Sequence, residues 1–241
     1  MSTARIELHW AAQVVAAAAD AWLDRRPDDS HTAMRWQSPR MLGEPIGDVV
    51  LGLDLPAFAI IAMHGSRVDA FPLAGTTLAD AMAWADRQLG TPRGIHLRDY
   101  DMPNSAVATG APFGEHGAAL VELVRWYDLG LEVVQAAASP VRIWPHHFDL
   151  GAIIELDASR QIGLGLSPGD RYYDEPYFYV TPSPLHDAAF PPLAGGGTWR
   201  QDGWVGAVLT ASTIGADPRR AHEFMRSALA AARSMLAPRP R

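Results

Sequence analysis

His146 and His147 stand side by side in the run Trp144-Pro145-His146-His147-Phe148-Asp149-Leu150, and Asp170, Glu175, Tyr177 and Tyr179 follow shortly after. An imidazole changes charge near neutral pH, and a carboxylate beside it orients the ring and shares its proton. The mixture therefore suits general acid–base chemistry. His146 and Asp170 are the candidate catalytic pair. His147, Asp149, Glu175, Tyr177 and Tyr179 are candidate substrate-binding groups. The competing reading for each is structural: a core histidine satisfied by a hydrogen bond, or an ordinary amphipathic strand.

These residues need a scaffold. Residues 141–156 read as one strand, with a turn near Asp157-Ala158-Ser159-Arg160 and a return strand over 161–166. Side chains alternate across a strand, so Trp144, His146, Phe148, Leu150, Ala152 and Ile154 are expected on one face. Even residues paired with even residues put Ile162, Leu164 and Leu166 on the same side. His146 then lies at the far end of the core face, near Asp170 if the strand continues.

The same alternation bears on metals. Adjacent strand residues point to opposite faces, so His146 and His147 are not expected to share an ion. His147 and Asp149 provide a two-ligand start, and His116 is the only distant third candidate weighed. No H-E-x-x-H, H-x-H or D-x-D pattern completes the set. No metal and no other cofactor is expected, although a His-ligated metalloprotein is retained as one alternative.

Gly165-Leu166-Ser167-Pro168-Gly169 matches the G-x-S-x-G pattern of a nucleophile elbow. That elbow uses the backbone N–H after the serine as an oxyanion donor. Pro168 has no N–H, so Ser167 is not expected to be a nucleophile.

Composition removes further chemistries. The chain has 241 residues and no cysteine, which excludes thiolate nucleophiles, disulfides and cysteine-ligated metals. It has no lysine, so Schiff-base chemistry and a phosphate-loop lysine are excluded too. The net charge of −7 disfavours nucleic acid as a partner. No apolar run reaches the roughly 18 residues that span a bilayer. The N-terminal residues do not resemble a secretory signal, so a cytoplasmic protein without membrane partners is expected.

The remaining elements read as helices over 6–24, from the Thr76-Thr77 cap to about Leu89, over 114–138, and from Asp217-Pro218 to about Leu236. Strands are expected over 47–53, 57–63, 67–73, 177–181 and 203–210. Residues 91–112 and Pro182–Gly197 read as loops. Trp10, Trp22, Trp84 and Trp126 fall at helical positions and are expected in the core. Strands in meanders with helices at the start, middle and end indicate an α+β fold with antiparallel sheet. One domain over 1–241 is expected, with sub-lobes dividing near 112–113 as the variant of that reading.

The run Trp144–Leu150, then Gly165-Leu166-Ser167-Pro168-Gly169-Asp170, then Glu175-Pro176-Tyr177-Phe178-Tyr179-Val180, then Gly203–Leu209, resembles a family of uncharacterised bacterial proteins. A wider group of unknown function is distantly similar and keeps the Phe-Asp-Leu strand without the histidine pair. The resemblance implies a soluble bacterial protein with this segment as its hallmark, and it implies no activity. The residues themselves point to an enzyme acting on a small polar molecule by general acid–base chemistry. The alternative is a ligand-binding or structural protein in which they form a polar network.

Overall fold

The computed structural model describes residues 2–90, 93–185 and 189–237. Residues 91–92 of the expected 91–112 loop and 186–188 of the expected 182–197 loop lie outside the described residues. The fold is α+β, with antiparallel sheets. The chain divides into two compact units. The first is Met1–Asp128 with Arg142–Phe148, and the second is Leu129–Val141 with Asp149–Arg241. The lobe boundary expected near 112–113 therefore falls later, and the chain re-enters the first unit for the histidine-bearing segment.

In the first unit, α1 spans Ser2–Trp22. Its many alanines carry the highest helix propensity and present little bulk, so the helix is buried along most of its length. Next come β1 (Arg35–Gln37), β2 (Arg40–Leu42), β3 (Val49–Asp54), β4 (Ala59–His64) and β5 (Arg67–Pro72), an antiparallel meander in chain order. The first two strands were not expected: each has only three residues, too short to show alternation. Helix α2 (Leu78–Gln88) starts at a capping box. The Thr77 hydroxyl accepts from the Asp80 N–H, and the Asp80 carboxylate accepts from the Thr77 N–H. It packs on α1 and β4.

Residues 93–117 are irregular apart from one 3₁₀ turn, Ala106–Thr109. Helix α3 (Ala118–Gln135) starts later than expected. The Gly114 N–H is spent on Glu7 Oε2 at 2.8 Å, and Gly117 takes φ 39°, so these residues stay outside the helix. Strand β6 (Arg142–Trp144) bridges residue 34 through two backbone hydrogen bonds between Met34 and Ile143.

In the second unit, β7 (Asp149–Glu155), β8 (Gln161–Ser167), β9 (Tyr177–Ser183), β10 (Thr198–Arg200) and β11 (Gly206–Thr210) are neighbours in the order β10-β11-β9-β8-β7. A short helix α4 (Ala211–Ile214) and a long α5 (Arg219–Met235) follow. Helix α5 packs on β8, β9 and β11.

The β7–β8 register agrees with the sequence: Leu150 faces Leu166, Ala152 faces Leu164, and Ile154 faces Ile162. A continuous strand from 141 to 156 is not formed. Residues 145–148 make a turn, closed by the Phe148 N–H donating to the Trp144 carbonyl at 2.7 Å, with Phe148 at φ 59°. Trp144, His146 and Phe148 do not share a strand face. Pro145 has no N–H to donate to a ladder, and that accounts for the interruption. The four helical tryptophans are half-buried instead of core. Their size leaves an edge at the surface, where Trp10 donates to the Pro103 carbonyl and Trp126 to Glu122.

Close approach fixes one glycine. A Cβ on Gly165 would lie 2.5 Å from the Leu150 carbonyl and 2.6 Å from the Tyr179 hydroxyl. Gly163, one pleat away, has only the Thr181 carbonyl at 4.0 Å. Gly165→Ala should destabilise the protein by about 2 kcal/mol in urea unfolding, as overpacking does, while Gly163→Ala changes little. Equal midpoints for the two variants would contradict this packing.

Candidate functional site

The turn carrying the histidine pair is held from below by α1. The Pro145 carbonyl accepts from His9 Nε2 at 2.7 Å and from Gln13 Nε2 at 2.6 Å. A carbonyl only accepts, so His9 carries its proton on Nε2. The Phe148 ring stacks on His9 with centroids 4.9 Å apart, and the Phe148 carbonyl accepts from the Tyr127 hydroxyl of α3 at 2.8 Å. Burial pushes the His9 pKa down to about 4.

With both ends of the turn pinned, His146 and His147 project from its middle. Their rings lie 4.3 Å apart, centroid to centroid. The expectation of opposite faces is corrected: it held for a strand, and these residues are in a turn. His146 is half-buried among the rings of Tyr100 (5.7 Å), Trp144 (6.0 Å) and His147, while His147 is exposed. Burial first, and the neighbouring His147 second, push the His146 pKa down to about 4. Among the described residues, no protein group hydrogen-bonds a ring nitrogen of His146 or His147.

An ionic network lies behind Tyr100. Arg98 donates to Asp20, to Asp29 at 3.0 Å and to the Tyr100 hydroxyl at 3.0 Å. The Arg98 guanidinium, with His31 and Arg25, holds the Asp20 carboxyl well below the usual carboxylate range. His31 is buried; its Nδ1 accepts from the Arg26 N–H, so Nε2 donates to Asp20 at 3.2 Å. Tyr100 also borders an open cleft of about 630 Å³, walled by Trp10 and the loop 99–109.

In the second unit the polar candidates are engaged with one another. The Tyr179 hydroxyl donates to the buried Asp149 carboxylate. The Tyr177 hydroxyl donates to Asp170 Oδ2 at 2.6 Å, and Asp170 Oδ1 accepts the N–H groups of Tyr172 and Tyr173. Burial first and the adjoining carboxylates second raise the pKa of both tyrosines. Glu175 caps α4, accepting from the Ser212 N–H at 2.6 Å and its hydroxyl at 2.8 Å. Ser167 is buried, and its hydroxyl accepts from the Gly169 N–H at 3.2 Å, closing a tight turn.

The pairing of His146 with Asp170 was expected from a strand continuing through 146; that strand is not formed, and both Asp170 oxygens serve the 170–177 turn. His116 is spent on Glu7 at 2.8 Å. Among the described residues no three His, Asp or Glu side chains are grouped to hold a metal ion. None of their helices is long and apolar enough to cross a membrane. No family model, no curated protein and no solved structure matches this chain.

Sequence reasoning missed Tyr100, Arg98, Asp20, His31 and His9, because three separate segments, α1, residues 29–31 and the 93–109 loop, supply them. The one available signal was the length of the irregular 91–112 segment, which long loops often carry for function.

His9 generates a pH prediction. Its folded pKa of about 4 lies below the ordinary imidazole value of 6.5, so the unfolded chain binds more protons between these values. Stability should be full above about pH 6.5 and fall toward pH 4, by at most about 3 kcal/mol from this residue. His9→Gln keeps a donor for the Pro145 carbonyl and removes the titration. Its urea midpoint should be less pH-dependent over that interval; parallel curves would contradict the assignment.

Proposed function

We propose that the chain is an enzyme that acts on a small polar molecule by general acid–base chemistry, with His146 as the proton acceptor. The observation that carries this reading is the state of His146: neutral above about pH 4, half-buried, and with both ring nitrogens uncommitted to the protein. The ring is only half-buried, so its nitrogens are open to water or a ligand as their partner.

Three features support the chemistry. Burial disfavours the imidazolium, so a proton taken from a bound substrate is returned readily. The Asp29 charge acts in the opposite direction on His146 and tempers that penalty. Tyr100, positioned by Arg98, forms part of both the histidine surroundings and the cleft, so a molecule in the cleft comes next to the ring that faces His146. The Asp149, Asp170, Glu175, Tyr177 and Tyr179 group enters this proposal as second-unit structure, not as substrate-binding residues, because its internal hydrogen bonds are already formed.

The test is turnover. Purified protein is incubated with pools of small polar metabolites and conversion is followed by proton NMR. A compound converted by the wild type should be converted at least about 100-fold more slowly by His146→Gln. Tyr177→Phe should weaken stability and leave turnover largely intact. Equal conversion by wild type and His146→Gln would contradict the assignment, and compounds bound without conversion would replace the enzyme with a binding protein.

A further inference from the structure

Arg200, on β10 in the second unit, is a largely buried cation without a close carboxylate. Its side chain is 18% exposed, and its Nε is buried with no hydrogen-bond partner. The rings of Tyr172 and Tyr173 flank the guanidinium at 4.6 and 5.5 Å, and the Tyr173 hydroxyl is its polar neighbour. Among the described residues its ion-pair partner is Asp202, whose fully exposed carboxylate lies 3.9 Å from Nη2. A buried charge is costly unless it is paired and hydrogen-bonded, and this pairing is loose.

Two more donors lie beside it. Arg200 faces Gly206 across the β10–β11 pair. A Cβ on Gly206 would overlap the Trp204 ring and lie 3.1 Å from the Thr181 hydroxyl oxygen, so Trp204 and Thr181 meet over this glycine. Among the described residues the Trp204 indole N–H and the Thr181 hydroxyl make no hydrogen bond to protein. Thr181 faces Gly163 on the next strand, where a Cβ would meet only the Thr181 carbonyl at 4.0 Å, so the sheet surface there is open. We propose that this face of the second unit binds a small organic anion, with its carboxylate or phosphate on Arg200 and its ring against Trp204 and the open surface at Gly163. A guanidinium and an indole N–H only donate, and a hydroxyl can donate, so an oxyanion satisfies all three. A cation would meet the Arg200 charge. The anion takes the place of the loosely held Asp202 carboxylate at Nη2. The site uses no residue of the histidine turn and stands independently of the acid–base reading.

Benzoate, phenyl phosphate and the neutral isostere benzamide are titrated into the full chain, and the Trp204 indole N–H resonance, assigned with Trp204→Phe, is followed by NMR. Benzoate or phenyl phosphate should shift it and bind at least about tenfold more tightly than benzamide, the loss expected when a charge-assisted pair is removed. The tighter of the two anions identifies the oxyanion group. Arg200→Gln should reduce anion binding to the benzamide level. Should that variant fail to fold, Asp202→Asn serves instead: Asp202 is fully exposed, and removing its competing carboxylate should tighten anion binding by about twofold or more. Anion binding no tighter than benzamide binding, or weakened in Asp202→Asn, would overturn the anion class. No shift of Trp204 with any probe would overturn the site itself, and either result leaves His146 untouched.

Discussion

One buried carbonyl determines where the histidine pair stands. Pro145 interrupts the strand, and its carbonyl would be an unsatisfied acceptor under α1 without the two donors, His9 and Gln13, on successive turns of that helix. A carbonyl oxygen has two lone pairs, so both donors are accommodated. The Phe148 end is fixed by the Tyr127 hydroxyl and by stacking on His9. Phe148 adopts a left-handed backbone conformation that costs on the order of 1 kcal/mol, and its full burial between His9 and Tyr127 offsets that cost. In this four-residue turn, pinned at both ends, the two central rings lie 4.3 Å apart.

The polar residues of the 139–184 segment therefore meet two different fates. In the second unit three carboxylates are paired: Asp149 with Tyr179 across β8, Asp170 with Tyr177 seven residues on, and Glu175 with Ser212 at the start of α4. These bonds fix β9 against β7, shape the 170–177 turn and start α4. In the first unit His146 and His147 have aromatic neighbours but, among the described residues, no hydrogen-bonding partner. Paired groups lower the energy of the fold, whereas half-buried unpaired ones are tolerated where a ligand or water completes them.

Local pattern made much of the fold legible. The alanine-rich helix, the Thr77 cap and the β7–β8 register were readable because each depends on residues within one or two elements. The three-residue strands β1, β2 and β10 left no periodicity to read. The site was legible in part. The segment was identified, but treating Pro145 as an ordinary strand residue placed His146 and His147 on opposite faces and paired His146 with Asp170. The Arg98–Asp20–His31 network and Tyr100 could not be read, since α1, residues 29–31 and the 93–109 loop meet only in three dimensions.

The proposed acid–base role depends on His146 being neutral and uncommitted. The most direct measurement is an NMR pH titration of the His146 ring in the intact protein, assigned by comparison with His146→Gln. The structure predicts a midpoint near 4, well below the 6.5 of a free imidazole. A His146 midpoint at or above 6.5 would contradict it, because the ring would then be either fully solvated or held in its charged form by an acidic partner.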